Sequence, residues 1–114
     1  MGDRGNICIR YEDGAEIYFY THWRGSAIKG MLQNALSKHW RWDDPPYLAR
    51  IIFCEMIDGN EKDETGFGIG PDICDNEHPI VYVNTHKKTV QIGGNKPIPY
   101  EDFINMDLSE EEEE

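Results

Sequence analysis

Two stretches of alternating apolar and polar residues, joined by a tight-turn signal, constrain the fold of this chain more than any other feature. Residues 6–12 and residues 15–20 both alternate with the period of two that is typical of half-buried β-strands. Between them lie Asp13 and Gly14, a dipeptide that favours hairpin turns because glycine adopts positive φ at little cost. The sequence therefore predicts a β-hairpin near the start of the chain.

Two amphipathic helices are predicted after this hairpin. Apolar residues recur at spacings of three and four over residues 27–40, and Ser26 is the expected N-cap. A second such pattern covers residues 48–57, follows two prolines that are tolerated in a first helical turn, and ends near a glycine. Cys54 lies within this apolar pattern, so we expect it to be a small residue of the core.

Strand patterns return in the last third of the sequence. Residues 79–84 and 89–92 predict a second hairpin. Residues 66–70 predict a short strand or a glycine-rich binding loop, and residues 100–106 predict a short helical turn. The order predicts one α+β domain over residues 1–108: a mainly antiparallel sheet of two hairpins plus a short strand, with two helices packed on one face.

The charge of the chain argues against one class of partner. Its 22 acidic and 11 basic residues give a formal net charge of −11. Residues 109–114 include a run of glutamates with too much like charge to pack, so we expect an acidic disordered tail there. Binding to a nucleic-acid backbone needs a basic face, so no direct nucleic-acid partner is predicted. An acidic surface can instead cover the basic site of a host protein.

Hydropathy and cysteine spacing indicate a cytoplasmic protein. No apolar run approaches the roughly 20 residues that cross a bilayer, so no membrane partner is predicted. Cys8, Cys54 and Cys74 are widely spaced, which predicts reduced thiols, with Cys74 in an exposed loop. The histidines are too scattered for a metal site, and no nucleophile stands in a recognisable catalytic context. We therefore expect no metal and no cofactor, and the sequence favours binding over catalysis.

The junction between the first hairpin and the first helix carries the main candidate binding groups. A helix start offers free backbone N–H groups and a partial positive charge, and Gly25 with Ser26 lets an anion come close. Arg24 can grip a phosphate with two parallel hydrogen bonds, while His22 flanks the same helix start and Trp23 offers a flat face for a ring. The alternative is that Trp23 belongs to the core, His22 bonds a backbone carbonyl, and Arg24 pairs with a surface carboxylate.

The second helix adds two candidates. Tyr47 and Arg50 lie three residues apart and so share a helix face. Arg50 has apolar neighbours, which indicates either a partly buried ion pair or a functional role. Trp40 and Trp42 can stack on a ligand or a partner, or close the core. The predicted ligand-binding residues are His22, Trp23, Arg24, Ser26, Tyr47 and Arg50.

The same junction also carries a resemblance. Residues 20–25, 41–44, 47–53 and 65–69 resemble segments of small bacterial and phage proteins that share a Tyr-x-His-Trp-x-Gly junction and have no assigned activity. The resemblance implies a bacterial or phage cytoplasmic context and no particular chemistry.

Two hypotheses of function follow from these features. The first is a non-catalytic protein that sequesters a phosphate-bearing, nucleotide-like small molecule and so counters a defence of the host. The second is an acidic interaction or inhibitor protein that masks a basic site of a host nucleic-acid-binding protein. Either protein can form a homo-oligomer, because an open sheet edge on a small domain invites pairing.

Overall fold

The strands of this protein fall into two groups along the sequence, and the two long helices lie between these groups. The computed structural model describes residues 3–60, 62, 64–73 and 76–107. The strands are β1 (Gly5–Arg10), β2 (Glu16–Thr21), β3 (Phe67–Gly70), β4 (Val81–Asn84), β5 (Thr89–Ile92) and β6 (Ile98–Pro99). The helices are α1 (Ile28–Ser37), α2 (Pro45–Ile57) and α3 (Tyr100–Ile104), and a short 3₁₀ turn, Gly25–Ala27, precedes α1.

The six strands form one sheet in the order β3-β2-β1-β4-β5-β6. Every neighbouring pair among the described strands is antiparallel except β1 and β4, which run parallel where the two hairpins meet. The predicted α+β class is confirmed, and the sheet is mixed only at this one seam. The first hairpin turn is also confirmed: the Tyr11 N–H donates to the Ala15 carbonyl at 2.9 Å, and Gly14 has a φ of 92°.

The core lies between one face of the sheet and the helices. Its strand residues alternate as the pattern predicted, and its helix residues form one stripe on α1 and one on α2. The largest fully buried side chains are Tyr100, Phe103, Ile7, Ile9, Leu32, Leu36, Leu48, Ile52, Met56, Val81, Val83 and Val90. The opposite sheet face carries Tyr18, Cys8 and Tyr82 side by side in adjacent strands, and Cys8 is buried between the two tyrosines.

Two local predictions were wrong. Cys54 is exposed, because it lies about 200° around α2 from the buried Ile52, on the solvent side of the helix. Ser26 is not the N-cap: it lies inside the 3₁₀ turn, and none of the described side chains caps α1. Cys74 and the tail 109–114 lie outside the described residues. In the part of the chain that is described, no helix is long and apolar enough to cross a membrane.

Candidate functional site

A threonine turns the chain from β2 towards α1. The Thr21 hydroxyl accepts hydrogen bonds from the backbone N–H groups of Trp23, at 3.4 Å, and Arg24, at 3.1 Å. This side chain therefore satisfies backbone donors in the way that an N-cap residue does, before the 3₁₀ turn begins. The predicted junction between a strand and a helix is present, and its turn depends on Thr21 rather than on Ser26.

The anion position at this helix start is occupied by the chain itself. The Ser26 hydroxyl and backbone N–H donate to Asp3 Oδ2 at 2.6 Å and 3.1 Å. The Gly25 N–H donates to the Asp3 backbone carbonyl at 2.6 Å, and His78 Nε2 lies 2.6 Å from Asp3 Oδ1. These partners, Ser26 first and then His78, lower the pKa of Asp3 below its ordinary value. Gly25 and Ser26, which were predicted to let an anion come close, therefore bind the backbone carbonyl and the carboxylate of Asp3.

Three of the predicted site residues come together around the start of β3. Trp23 is 49% exposed, and its ring lies edge-on to Phe67 with centroids 6.1 Å apart. The ring also covers Gly66, where an added Cβ would come within 2.2 Å of it. The His22 ring lies 5.9 Å from the Trp23 ring, and its Nδ1 lies 3.0 Å from the Tyr20 hydroxyl. Trp23 is therefore not a core residue: its ring contacts Phe67 and Gly66, and about half of its surface is exposed.

Arg24 joins this cluster to the end of α2. Its Nη1 donates to the Met56 carbonyl at 3.4 Å, near the C-terminal end of the helix, where a cation is favoured. Its guanidinium carbon lies 6.0 Å from the centroid of the Phe67 ring. These contacts assign Arg24 a packing role between β3 and α2.

Tyr47 lies at the other end of α2. It is nine residues before Met56, which corresponds to about 13 Å along the helix axis. The Arg41 guanidinium lies 4.6 Å from the centroid of the Tyr47 ring, and half of the Tyr47 surface is exposed. Arg50 is exposed, and its Nη1 lies 3.9 Å from the Cys54 sulfur. The structure thus separates Tyr47 from the cluster of His22, Trp23 and Arg24.

The two tryptophans between α1 and α2 have different roles. Trp42 stacks on His39 at a centroid distance of 4.5 Å, packs edge-on against Tyr100, and donates its indole N–H to the Leu36 carbonyl. Trp40 is 58% exposed. The Trp42 indole closes the core, which was one of the two predicted alternatives, and the Trp40 indole faces solvent.

Sequence reasoning missed an open groove at the start of α2. Its volume is about 650 Å³, and it lies between the β1–β2 turn and the first turn of α2. Its lining residues are Tyr11, Glu12, Asp13, Ala15, Pro45 and Pro46. The Asp-Gly dipeptide was interpreted as a hairpin turn and the two prolines as part of a first helical turn, and no pattern in the sequence shows that these two segments face each other.

The groove combines apolar walls with carboxylates. Burial raises the pKa of Tyr11 above its ordinary value, because the charged phenolate is disfavoured there. The Glu12 side chain is 78% exposed, and its Oε1 lies 3.8 Å from His86 Nδ1. Asp13 is exposed as well, and its Oδ1 accepts a hydrogen bond from the Ala15 N–H. Such a lining suits a Lys or Arg side chain, whose apolar stem packs on proline and tyrosine while its charge meets the two carboxylates.

Neither metal chemistry nor likeness to known proteins adds to this description. Within the described ranges, no group of three or more His, Cys, Asp or Glu residues is arranged to hold a metal ion. Comparisons with models of known families, with curated proteins and with solved structures gave no match.

Proposed function

We propose that this protein is a non-catalytic interaction protein that covers a basic surface of another protein. The observation that carries the proposal is the groove between the first hairpin and α2, because it joins Glu12 and Asp13 to the apolar walls of Tyr11, Pro45 and Pro46. A basic side chain of a partner fits this lining in charge and in shape. The partner class is a protein whose own function uses cations, such as a nucleic-acid-binding protein of a host.

The charge balance of the whole chain supports the same partner. The formal net charge is −11. Several of the cations are held by carboxylates of the chain itself: Arg4, Arg10, Lys38, Arg41 and Lys88. A surface with excess carboxylates attracts a basic partner over long range and raises its rate of association, an effect that salt weakens.

The phosphate hypothesis stays a prediction with a weaker basis. Its predicted residues His22, Trp23 and Arg24 lie together, but the backbone N–H groups of Gly25 and Ser26 already bond Asp3. A phosphate would have to displace that carboxylate, and the negative net charge would oppose its approach. We also propose a cytoplasmic setting, supported by the free thiols of Cys8 and Cys54, with a bacterial or phage source resting on the resemblance alone.

Binding to a basic probe tests the proposal directly. The probe is a labelled, flexible peptide of lysine, glycine and serine, titrated at low salt and followed by fluorescence anisotropy. The test variant carries Glu12→Gln and Asp13→Asn together, which removes two groove charges with little change of shape. We expect this variant to bind at least about fivefold more weakly, since lost contacts of this kind cost about 1 kcal/mol.

A matched control separates the groove from the net charge. Asp58→Asn with Asp102→Asn removes the same amount of charge from two exposed positions outside the groove lining. We expect the control to bind nearly as tightly as the wild type. Equal weakening by both double variants would show that the probe senses only net charge, and tight binding of ATP with no binding of the peptide would favour the phosphate hypothesis instead.

A further inference from the structure

The two edges of the sheet differ in how they are protected. β6, at one edge, has only two residues, and Pro99 within it and Pro97 just before it have no N–H to offer. β3, at the other edge, has four residues, Phe67 to Gly70, without a proline or a charge. Natural sheets blunt an exposed edge with short strands, prolines and charges; Pro71 directly follows β3, but the four residues of β3 itself include neither a proline nor a charge.

The hydrogen-bond pattern shows which groups β3 presents at its free side. The His22 N–H donates to the Gly66 carbonyl at 2.8 Å, and this residue pair continues the register that joins Tyr20 to Gly68. In an antiparallel ladder every second residue pair exchanges hydrogen bonds. The backbone N–H and C=O groups of Gly66 and Gly68 therefore point towards β2. The backbone N–H and C=O groups of Phe67 and Ile69 therefore point away from β2, on a side where none of the described strands pairs with β3.

The two faces beside β3 offer different surfaces to an added strand. On the helix face Ile69 is 55% exposed. On the other face nothing lies within 4 Å of a Cβ built on Gly68 or Gly70. These glycines pair with Tyr20 and Tyr18, so a side chain laid across them reaches the tyrosine rings. The helix face favours an apolar side chain, and the tyrosine face favours a Lys or Arg over an aromatic ring.

Charge at the two ends of β3 argues against a second copy as the added strand. Glu64 and Asp72, both exposed, flank the strand. If Phe67 paired with Ile69 of a second copy in an antiparallel ladder, Glu64 would lie opposite Asp72 of that copy. Like charges directly opposite destabilise a strand pair, and the net charge of −11 adds to the repulsion between copies.

We propose that β3 binds an extended segment of a partner protein as a seventh strand, and that this segment alternates apolar and basic residues. The segment forms backbone hydrogen bonds to Phe67 and Ile69, places its apolar residues beside Ile69, and lays its basic residues over Gly68 and Gly70 towards Tyr18 and Tyr20. Strand addition at a free edge is an established mode of peptide recognition. This inference rests on the proposed function only for the positive charge of the partner, because the groove and β3 are separate surfaces.

The test uses the whole chain and a synthetic peptide of alternating valine and lysine, end-blocked and about eight residues long, a common strand length. A peptide of the same composition, with its valines and lysines in two blocks, has the same charge but cannot alternate. We expect the alternating peptide to bind at least about tenfold more tightly than the block peptide, because only the former matches both faces of the strand.

Two variants at one position separate the backbone from the side chain. Ile69→Pro removes an N–H that the β2–β3 ladder does not use, whereas Ile69→Thr keeps that N–H and shortens the apolar contact. We expect Ile69→Pro to weaken binding of the alternating peptide at least about tenfold and Ile69→Thr only about twofold to threefold. Circular dichroism and thermal unfolding check that both variants keep the fold.

Hydrogen exchange locates the added strand independently of any variant. We expect the Phe67 and Ile69 amides of the wild type to exchange quickly alone and to be protected at least about tenfold with the alternating peptide. Binding without this protection, or binding unchanged in a folded Ile69→Pro variant, would overturn the β3 proposal. If Glu12→Gln with Asp13→Asn still weakened binding of the flexible basic peptide, the proposed function would stand without the β3 proposal. Concentration-dependent protection of the same amides in the absence of peptide would assign the edge to a second copy and overturn the proposal as well.

Discussion

The starts of α1 and α2 differ in what meets them. The 3₁₀ turn before α1 receives the Asp3 carboxylate, which the Ser26 backbone and side chain hold at 3.1 Å and 2.6 Å. α2 begins with Pro45 and Pro46, which have no N–H groups, and it borders an open groove with two carboxylates in its lining. A helix start attracts negative charge in both cases, but only the start of α1 already binds a carboxylate from a distant segment of the chain.

Glycine and serine at a helix start therefore do not by themselves make a ligand site. Gly25 and Ser26 allow close approach, and the approaching group is the N-terminal segment of the chain. The open groove borders α2, whose start has neither glycine nor serine. Three sets of substitutions test the contrast, and a fourth compares the satisfied Asp3 with an unsatisfied buried group.

The largest effect is expected at Gly25. A Cβ there would come within 2.7 Å of the Asp3 carbonyl oxygen and 2.8 Å of the Arg4 carbonyl carbon, so the N-terminal segment must move. We expect Gly25→Ala to lower the free energy of unfolding by about 1 to 3 kcal/mol in urea titrations. Gly30→Ala is the control, because that α1 position has nothing within 4 Å, and it should raise stability by about 0.5 to 1 kcal/mol. Equal stability of the two variants would show that the segment is not packed on Gly25.

A smaller loss is expected from removing the Asp3 carboxylate. Asp3→Ala removes the acceptor of the Ser26 bonds, and caps of this kind contribute about 1 to 2 kcal/mol to the free energy of unfolding. The exposed Asp58→Ala should change it by less than about 0.5 kcal/mol. A loss no greater than that of the control would mean that the helix start of α1 is as open as that of α2.

Acid should reduce the contribution of Asp3. Its pKa is lowered in the folded state, so its stabilising effect is full above the ordinary value of 3.8 and is lost as pH falls through the lower folded value. The difference in unfolding free energy between the wild type and Asp3→Ala should stay constant above about pH 5 and shrink below about pH 4. A difference that grew in acid would contradict this sign.

Tyr100 presents the opposite case to Asp3. Its hydroxyl is buried and, among the residues that the structure describes, has no hydrogen-bond partner. Burial raises the pKa of Tyr100, because the charged phenolate is disfavoured there. Tyr100→Phe removes the unsatisfied group and should raise the free energy of unfolding by up to about 1 kcal/mol, measured by urea titration. A loss of more than about 1 kcal/mol would show that the hydroxyl is satisfied after all.

The smallest effect on stability is expected in the groove. The exposed pair of Glu12 and His86 contributes little, so Glu12→Gln should change the free energy of unfolding by less than about 0.5 kcal/mol. The same variant should weaken binding of the flexible basic peptide. A stability loss comparable to that of Asp3→Ala would assign Glu12 to the fold and not to a binding surface.

Local periodicity was enough to predict the fold class. The hairpin over residues 5–21, both long helices and the β4–β5 hairpin follow patterns of two or of three and four in the sequence, and the structure confirms them. The parallel seam between β1 and β4 and the short β6 were not predicted. Parallel pairing joins segments that are distant in the chain, so no local pattern records it.

The candidate site was predictable only in part. The strand-to-helix junction was found, and His22, Trp23 and Arg24 lie together as expected from their positions in one short segment. Tyr47 lies about 13 Å along α2 from the contact of Arg24, although helical spacing placed it correctly on a face with Arg50. The helical period gives the direction of a side chain around its own helix, and it does not say which other element stands opposite.

The sequence by itself determined the elements, because apolar period and turn chemistry act within a few residues: Gly14 in its turn, the stripe on α2, and the excess of carboxylates. Only the tertiary structure decided which of these elements meet. It brought Asp3 to the start of α1, set Pro45 against the β1–β2 turn, and left β3 at an edge with the backbone groups of Ile69 outward. Contacts between distant segments depend on how a single core closes, and the free energy of that closure is shared by the whole chain.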